Sequence, residues 1–294
     1  MHICKLFGFS RQAFYQHFRQ LESTQLEEAL IVKEVKTIRE SHQRMGTRKL
    51  YGKLQPFFEE HKLKIGRDAL FDCLANHHLL IRRRKRKITT TMSYHRFHKY
   101  PNLIKGKEIT APNNLYVSDI TYWKIDTGFV YISLITDAYS HKIVGYQVAE
   151  TMEAIESKTA LEMALNVLSK EQMEGLIHHS DRGVQYCSLS YVKLLQDNEI
   201  KISMTESSEP TDNAIAERIN GILKDEYLCF YKIEDIEQAK LKLKKAIELY
   251  NKDRPHMSIG NLTPEEVHQS GIKTEKLWKN YYQINKTKNE GLGL

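Results

Sequence analysis

The sequence of 294 residues has little of what marks several protein classes. Its four cysteines, Cys4, Cys73, Cys187 and Cys229, stand far apart, so no C-x-x-C redox or metal pair exists. They are expected to be reduced and structural, as in cytosolic chains. His77 and His78 follow Cys73, but without a partner cysteine pair the spacing does not make a zinc site. Six prolines and 14 glycines exclude a collagenous or low-complexity chain. No run approaches the ~20 apolar residues of a membrane span. The start, Met1-His-Ile-Cys-Lys-Leu6, lacks the long apolar stretch of a signal peptide. A G-x-x-x-x-G-K-[ST] phosphate loop is also missing. The expectation is a soluble cytoplasmic protein with no membrane partner.

What is present begins with charge. The net +7 is unevenly spread. Residues 1–81 carry +4, residues 82–107 carry +10 with no acid at all, and residues 108–294 carry −7. A basic front joined to an acidic remainder suggests a polyanion-binding part attached to a different kind of domain. The length suggests about two domains, and 41% apolar residues can bury a core.

The first 81 residues read as helical. Gly8-Phe9-Ser10 separates a short apolar start from a helix opening at Arg11, with Ser10 as its cap. This is the pattern of a helix-turn-helix and equally of a plain αα-hairpin. Residues 25–43 have the spacing of an amphipathic helix, and Gly46-Thr47 and Gly66-Arg67 open two more. Arg82-Arg83-Arg84-Lys85-Arg86-Lys87 follows, a run of like charge that repels itself and stays solvated. Tyr94, Phe97 and Tyr100 then interleave with His95, Arg96 and Lys99. Cations release counterions from phosphates and aromatic rings stack on unpaired bases, so the segment reads as a nucleic-acid contact.

From residue 113 the period changes to two. Leu115–Trp123, Phe129–Ile135 and Ile143–Val148 read as three strands joined by short turns. A helix over 153–169, a strand over 176–179, a helix over 189–197 and a strand over 200–204 follow, then helices opening at Asp212 and Asp235. The order βββαβαβ predicts an α/β domain with a mixed five-stranded sheet and flanking helices. Three acids stand at chemically suggestive places. Asp119 lies mid-strand on the face of Leu115 and Val117, Asp181 directly follows a strand, and Glu217 lies in the first turns of a helix. Taken singly each has a plain structural reading, as a polar edge position, a turn former and a helix-start charge. Asp137, at a strand end, reads as a turn residue.

Together, Val117-Ser-Asp-Ile-Thr-Tyr122, His179-Ser-Asp-Arg-Gly-Val-Gln-Tyr186 and Asp212-Asn-Ala-Ile-Ala-Glu217 resemble the Asp, Asp, thirty-five-residue gap, Glu signature of DDE transposases and retroviral integrases. Tyr250-Asn-Lys-Asp-Arg-Pro-His256 and Leu262-Thr-Pro-Glu265 resemble the C-terminal motifs of the same family, and the front helices match as well. The resemblance is to bacterial insertion-sequence transposases of the second-reading-frame type, over nearly the whole chain.

That resemblance implies a ribonuclease-H-like integrase catalytic core over 108–275, after a helix-turn-helix-like DNA-binding region over 1–81 and a basic linker over 82–107, with a tail over 276–294. It implies that Asp119, Asp181 and Glu217 are catalytic and hold two Mg²⁺ ions, Mn²⁺ being the alternative. Carboxylates suit hard cations, and a paired-metal site suits in-line displacement at phosphorus. Lys224, seven residues after Glu217 and so on its helix face, would hold DNA near the metals. Asn213, one turn before Glu217, would orient it or touch DNA, and His179 would support the site from behind. Arg11 and the Arg82–Lys87 run would bind phosphates. The implied partners are terminal inverted repeats and target DNA, further copies of the chain on DNA, and an upstream-frame protein, with the chain at the nucleoid. The competing functions are a catalytically idle DNA-binding regulator and a ribonuclease-H-like nuclease.

Overall fold

The computed structural model describes residues 10–81, 96–206 and 213–277, and the chain divides into two compact units, 1–85 and 86–294. Among the described residues no helix is long and apolar enough to cross a membrane.

The first unit is all helical. α1 (Arg11–Ser41) runs unbroken for 31 residues, capped by Ser10, whose Oγ accepts from the Ala13 N–H at 3.1 Å. The sequence reading had a helix opening at Arg11 and another over 25–43. They are one, because no glycine or proline lies between Arg11 and Ser41 to interrupt the hydrogen-bond ladder. α2 (Thr47–Lys53), α3 (Gln55–Glu60) and α4 (Arg67–Asn76) follow. Ile31, Val35, Leu50, Leu54, Leu70 and Leu74 pack into one core, to which the C-terminal part of α1 contributes. Arg39 locks that part by donating to the Leu79 carbonyl at 2.7 Å. The residues before Ser10, the first half of the expected helix-turn-helix, lie outside the described residues, as does the whole Arg82–Lys87 run.

The second unit holds a five-stranded mixed sheet. Its strands are β1 (Leu115–Ile125), β2 (Gly128–Asp137), β3 (Ile143–Ala149), β4 (Ile177–Ser180) and β5 (Lys201–Met204), in the spatial order β3-β2-β1-β4-β5. The first three form an antiparallel meander, while β4 pairs parallel to β1 and β5 parallel to β4. The mixed sheet is as the sequence predicts. Helix crossovers make the parallel pairs possible: α5 (Ala154–Leu165) with the short α6 (Lys170–Met173) leads into β4, and α7 (Leu189–Asp197) into β5.

The two faces of the sheet carry separate cores, because alternate residues of a strand point to opposite sides. Tyr116 and Ile135 meet Leu161, Leu165, Tyr191 and Leu195 of α5 and α7 on one face. α5 comes close to β3 there, where a Cβ on Gly145 would collide with the Ala160 carbonyl. On the other face Trp123, Val130 and Ile132 meet α8 (Ala214–Glu226) and α9 (Ile236–Lys252) through Ile219, Leu223, Leu243 and Tyr250. α10 (Pro264–Ser270) closes the described fold with a Thr263–Glu266 capping box. The end of the segment read as linker also belongs to this unit. Pro101 accepts from the Met204 N–H at 3.2 Å, and the Leu103 N–H donates to Ser203 Oγ at 2.9 Å.

Candidate active site

Strand register brings the first two acids together. β1 and β4 pair in parallel with Val117 opposite His179. Asp119 and Asp181 each lie two residues beyond that rung. They therefore emerge from neighbouring strands at the same end of the β1–β4 ladder. Asp119 remains anchored on its other side, where it pairs with Leu134 of β2. Asp181 lies just past the end of β4 in a tight turn, and its Oδ1 accepts from the Gly183 N–H at 2.9 Å. A Cβ at Gly183 would stand 2.9 Å from that same oxygen and 3.0 Å from Gln185 Oε1, so a larger residue there would displace the Asp181 carboxylate.

The third acid comes from α8. Glu217 is exposed in its first turn. The helix begins after Asn213, which does not cap it with its side chain. Asp212, the expected cap, lies outside the described residues. Asn213 instead is buried and donates from Nδ2 to the Ser118 carbonyl at 2.9 Å, tying the start of α8 to β1 beside Asp119.

Asn213, Glu217, Asn220 and Lys224 follow one another at four, three and four residues, so they form one stripe on α8. Asn220 was missed in the sequence reading, although its spacing from Glu217 was visible. Its Nδ2 donates to Asp119 Oδ2 at 2.6 Å, and the Ile120 N–H donates to Oδ1 at 2.9 Å. Lys224 holds its ammonium 3.9 Å from the centre of the Tyr122 ring. Burial pushes this lysine down, while Asp119 and Asp225 pull it up.

Electrostatics mark the centre. The half-buried Asp119 carboxyl is pushed up to about 7. Burial is the largest cause and the Asp181 charge the next. The bonds from Asn220 and Ile120 oppose the rise, and Glu217 adds to it. Asp181 and Glu217 thus both act on Asp119, although the oxygens of the three acids do not all lie within 4.8 Å. A cation among them would relieve burial and repulsion together. The donor set is all carboxylate oxygen, which fits Mg²⁺ or Mn²⁺ and not a thiolate-seeking metal.

His179 is buried behind the site, and its Nδ1 bonds Ser203 Oγ of β5 at 2.8 Å. The neighbouring His178 faces the other way, with Nε2 bonded to Ser118 Oγ at 2.6 Å and to Tyr191 Oη at 2.9 Å. Arg11 is the first residue of α1, in the other unit.

That other unit holds the trio of possible ligands whose atoms do lie within 4.8 Å among the described residues, namely Glu28, Cys73 and His77. The sequence offered Cys73, His77 and His78 without a partner cysteine pair. Glu28, arriving from α1, meets His77 Nε2 at 3.4 Å, and that hydrogen-bonding contact brings it into the group.

Residues 109–210 match the family described as Integrase core domain, and residues 198–264 match a second family of the same description. The chain is 34% identical over 277 residues to the 31 kDa protein of insertion element IS600 from Shigella sonnei, covering 91% of this chain and 99% of that one. It is 29% identical over 231 residues to the transposase for insertion sequence element IS629 from Shigella sonnei, covering 79% and 76%. The chain belongs to the bacterial insertion-sequence transposases of the DDE superfamily. Its second unit contains the integrase core domain, and DNA transposition is its general function. Among solved structures it is similar to the catalytic core domain of HTLV-2 integrase in complex with magnesium, at 19% identity and a TM-score of 0.43, covering 54% of this chain and 97% of that one.

Proposed function

We propose that this transposase cleaves and joins the DNA ends of its own element at a divalent-metal site formed by Asp119, Asp181 and Glu217. The observation that carries the reading is the convergence of Asp119 and Asp181 from the adjoining ends of β1 and β4, with α8 carrying Glu217 and bonded to Asp119 through Asn220. A protein that only bound DNA would gain nothing from gathering like charges where they repel both one another and phosphate. The two aspartates and the glutamate would hold two Mg²⁺ ions, with Mn²⁺ as a substitute. Bound there, the ions activate the attacking oxygen and stabilise the leaving one at phosphorus.

The remaining roles belong to the chain. Asn220 fixes the rotation of the Asp119 carboxylate through its 2.6 Å bond. Asn213 sets the start of α8, and with it Glu217, against β1. Lys224 offers a positive charge to a DNA phosphate next to the acids, with the Tyr122 ring holding its ammonium in place. His179 braces the strand end that carries Asp181 by its bond to β5. Arg11 and Arg82–Lys87 supply phosphate attraction, with the terminal inverted repeats and target DNA as partners and several copies acting together on two ends.

The test is Asp119→Asn on a duplex carrying the element's terminal repeat. Mg²⁺-dependent cleavage is expected to fall by roughly 10³-fold or more, because a required carboxylate ligand is lost. Gel-shift binding to the same duplex is expected to persist. A folded variant that cleaves at the wild-type rate overturns the reading.

A further inference from the structure

The Tyr250–His256 motif stands away from the three acids, yet it converges on the helix that carries one of them. α8 ends at Glu226. A carboxylate at a helix C-terminus meets the negative end of the macrodipole and is unfavourable there unless something offsets it. Arg254 does so. Its Nε donates to Glu226 Oε2 at 2.8 Å and its Nη2 to Oε1 at 2.7 Å, a two-pronged pair. The Arg254 side chain is 1% exposed and that of Glu226 19%.

The remaining prong is used as well. Arg254 Nη1 donates to His256 Nε2 at 2.7 Å, so that ring nitrogen is the acceptor and the ring proton sits on Nδ1. The guanidinium is thus held on three sides within the protein.

The rest of the motif fastens this arginine to the sheet. Asn251 brackets Ile143 at the start of β3, accepting from its N–H at 3.0 Å and donating to its carbonyl at 2.9 Å. Tyr250 Oη donates to the His141 carbonyl at 3.0 Å. The end of α9 is therefore fixed to the β2–β3 corner, and Arg254 passes that position on to α8.

α8 is consequently tied by polar bonds at both ends, through Asn213 to β1 at its start and through Glu226 to Arg254 at its finish. Between the ties its buried face is aliphatic, with Ala216, Ile219, Ile222 and Leu223, apart from Asn220, whose Nδ2 donates to Asp119 Oδ2 at 2.6 Å. Aliphatic contacts resist separation but set rotation about the helix axis weakly, whereas a two-pronged ion pair fixes direction. A buried ion pair is also a poor source of net stability, since desolvation cancels most of its attraction.

We infer that Arg254 and Glu226 are positioning residues, a clamp that sets the rotation and axial position of α8 and so presents Glu217 and Lys224 to the metal ions and the DNA. The inference rests on the proposed carboxylate site and names the device that holds its third member in place. Glu226 lies nine residues beyond Glu217, about 13 Å along the helix, so the clamp acts without touching substrate.

Two variants of the full chain test it. Arg254→Lys keeps the charge and loses the fork. The double variant Glu226→Met with Arg254→Met removes both charges and refills the space, a replacement that is often neutral or stabilising, although it leaves His256 Nε2 without its Arg254 donor. Mn²⁺ binding, followed by electron paramagnetic resonance in wild type, Asp119→Asn and both variants, reads the site without requiring turnover. Mn²⁺ affinity at the Asp119-dependent site is expected to fall by roughly 10-fold in both variants, the size of effect seen when a supporting partner of a metal ligand is lost. The melting temperature of the double variant is expected to stay at or above that of wild type. Amide exchange over α8 is expected to quicken in both. Wild-type Mn²⁺ affinity in the double variant overturns the clamp. A wild-type chain with no Asp119-dependent Mn²⁺ binding overturns the carboxylate-site reading itself and takes the clamp with it.

Discussion

Two aspartates of the same sheet meet opposite fates. Asp137 ends β2 and is fully buried. Its Oδ1 accepts from the Ser140 N–H at 2.7 Å and the Ser140 hydroxyl at 2.6 Å, and its Oδ2 from the Asn113 N–H at 2.8 Å. That carboxylate is spent on holding a corner. Asp119, on the adjacent strand, has two donors and two acidic neighbours, and its carboxyl rises to about 7. A satisfied acid is structural, whereas an acid kept among other acids is a candidate cation ligand. Burial alone does not separate the two, since the more buried one is the structural one.

The same substitution at both positions sharpens this contrast most. Asp137→Asn turns one accepting oxygen into an NH₂ that must face an N–H donor of Ser140 or Asn113. The expected cost is about 2–4 kcal/mol, read as a melting temperature lower by roughly 5–15 °C. At Asp119 the change is absorbed. Asn220 Oδ1 is buried with no hydrogen-bond partner, so the Asn220 amide can turn over and accept from the new NH₂. Asp119→Asn is expected to lose activity without losing stability. Equal destabilisation at the two sites would break the comparison.

A smaller effect is expected at Asn220 itself. Asn220→Ala removes the 2.6 Å donor and leaves the Asp119 carboxylate free to rotate. Cleavage is expected to slow by roughly 10–100-fold at limiting Mg²⁺, with recovery as the ion is raised. A slowing that saturating Mg²⁺ cannot repair would move Asn220 from supporting Asp119 to contacting DNA.

Much of this was legible in the sequence because it depends on local order. Alternation from Leu115 to Trp123 gave β1 and placed Asp119 on the face of Val117. The run from Leu176 to His179 put Asp181 just past a strand end. Stripe spacing tied Asn213 and Lys224 to Glu217. What escaped depends on register and on long-range pairing. The Val117–His179 rung that sets Asp119 beside Asp181 joins residues 62 positions apart, and strand periodicity does not encode which rungs meet. Asn220 looked like one more polar residue on a helix, since only its reach across 101 positions to Asp119 gives it a role. Arg254 belonged to a motif noticed for its resemblance alone, and its partner Glu226 carried no signal beyond an acid at a helix end. Helix continuity through residues 19–24 was understated because the apolar spacing there is poor, although nothing in those residues breaks a helix.

The smallest expected effect is also the most specific, because its sign is fixed by proton counting. Asp119 has a folded-state value of about 7 against 3.8 for the free side chain. Between those values the folded chain holds a proton that the unfolded chain has released, so folding weakens as pH rises through the window. The buried His178 and the half-buried His141 push the other way. His178 is lowered to about 3 and His141 to about 4, chiefly by burial, so the unfolded chain takes up protons below about 6.5 that the folded chain refuses. Their contribution is present above about 6.5 and is lost as pH falls, and it is common to wild type and Asp119→Asn. Subtracting the two metal-free stability curves therefore isolates Asp119. The variant is expected to match wild type near pH 4 and to exceed it by about 1–2 kcal/mol at pH 8, a figure kept small because Asp119 is only half-buried. Adding Mg²⁺ at pH 8 is expected to close the gap by stabilising wild type alone. A difference curve that stays flat from pH 4 to pH 8 would mean that the charged Asp119 bears no cost from burial or from its acidic neighbours, and the contrast with Asp137 would collapse.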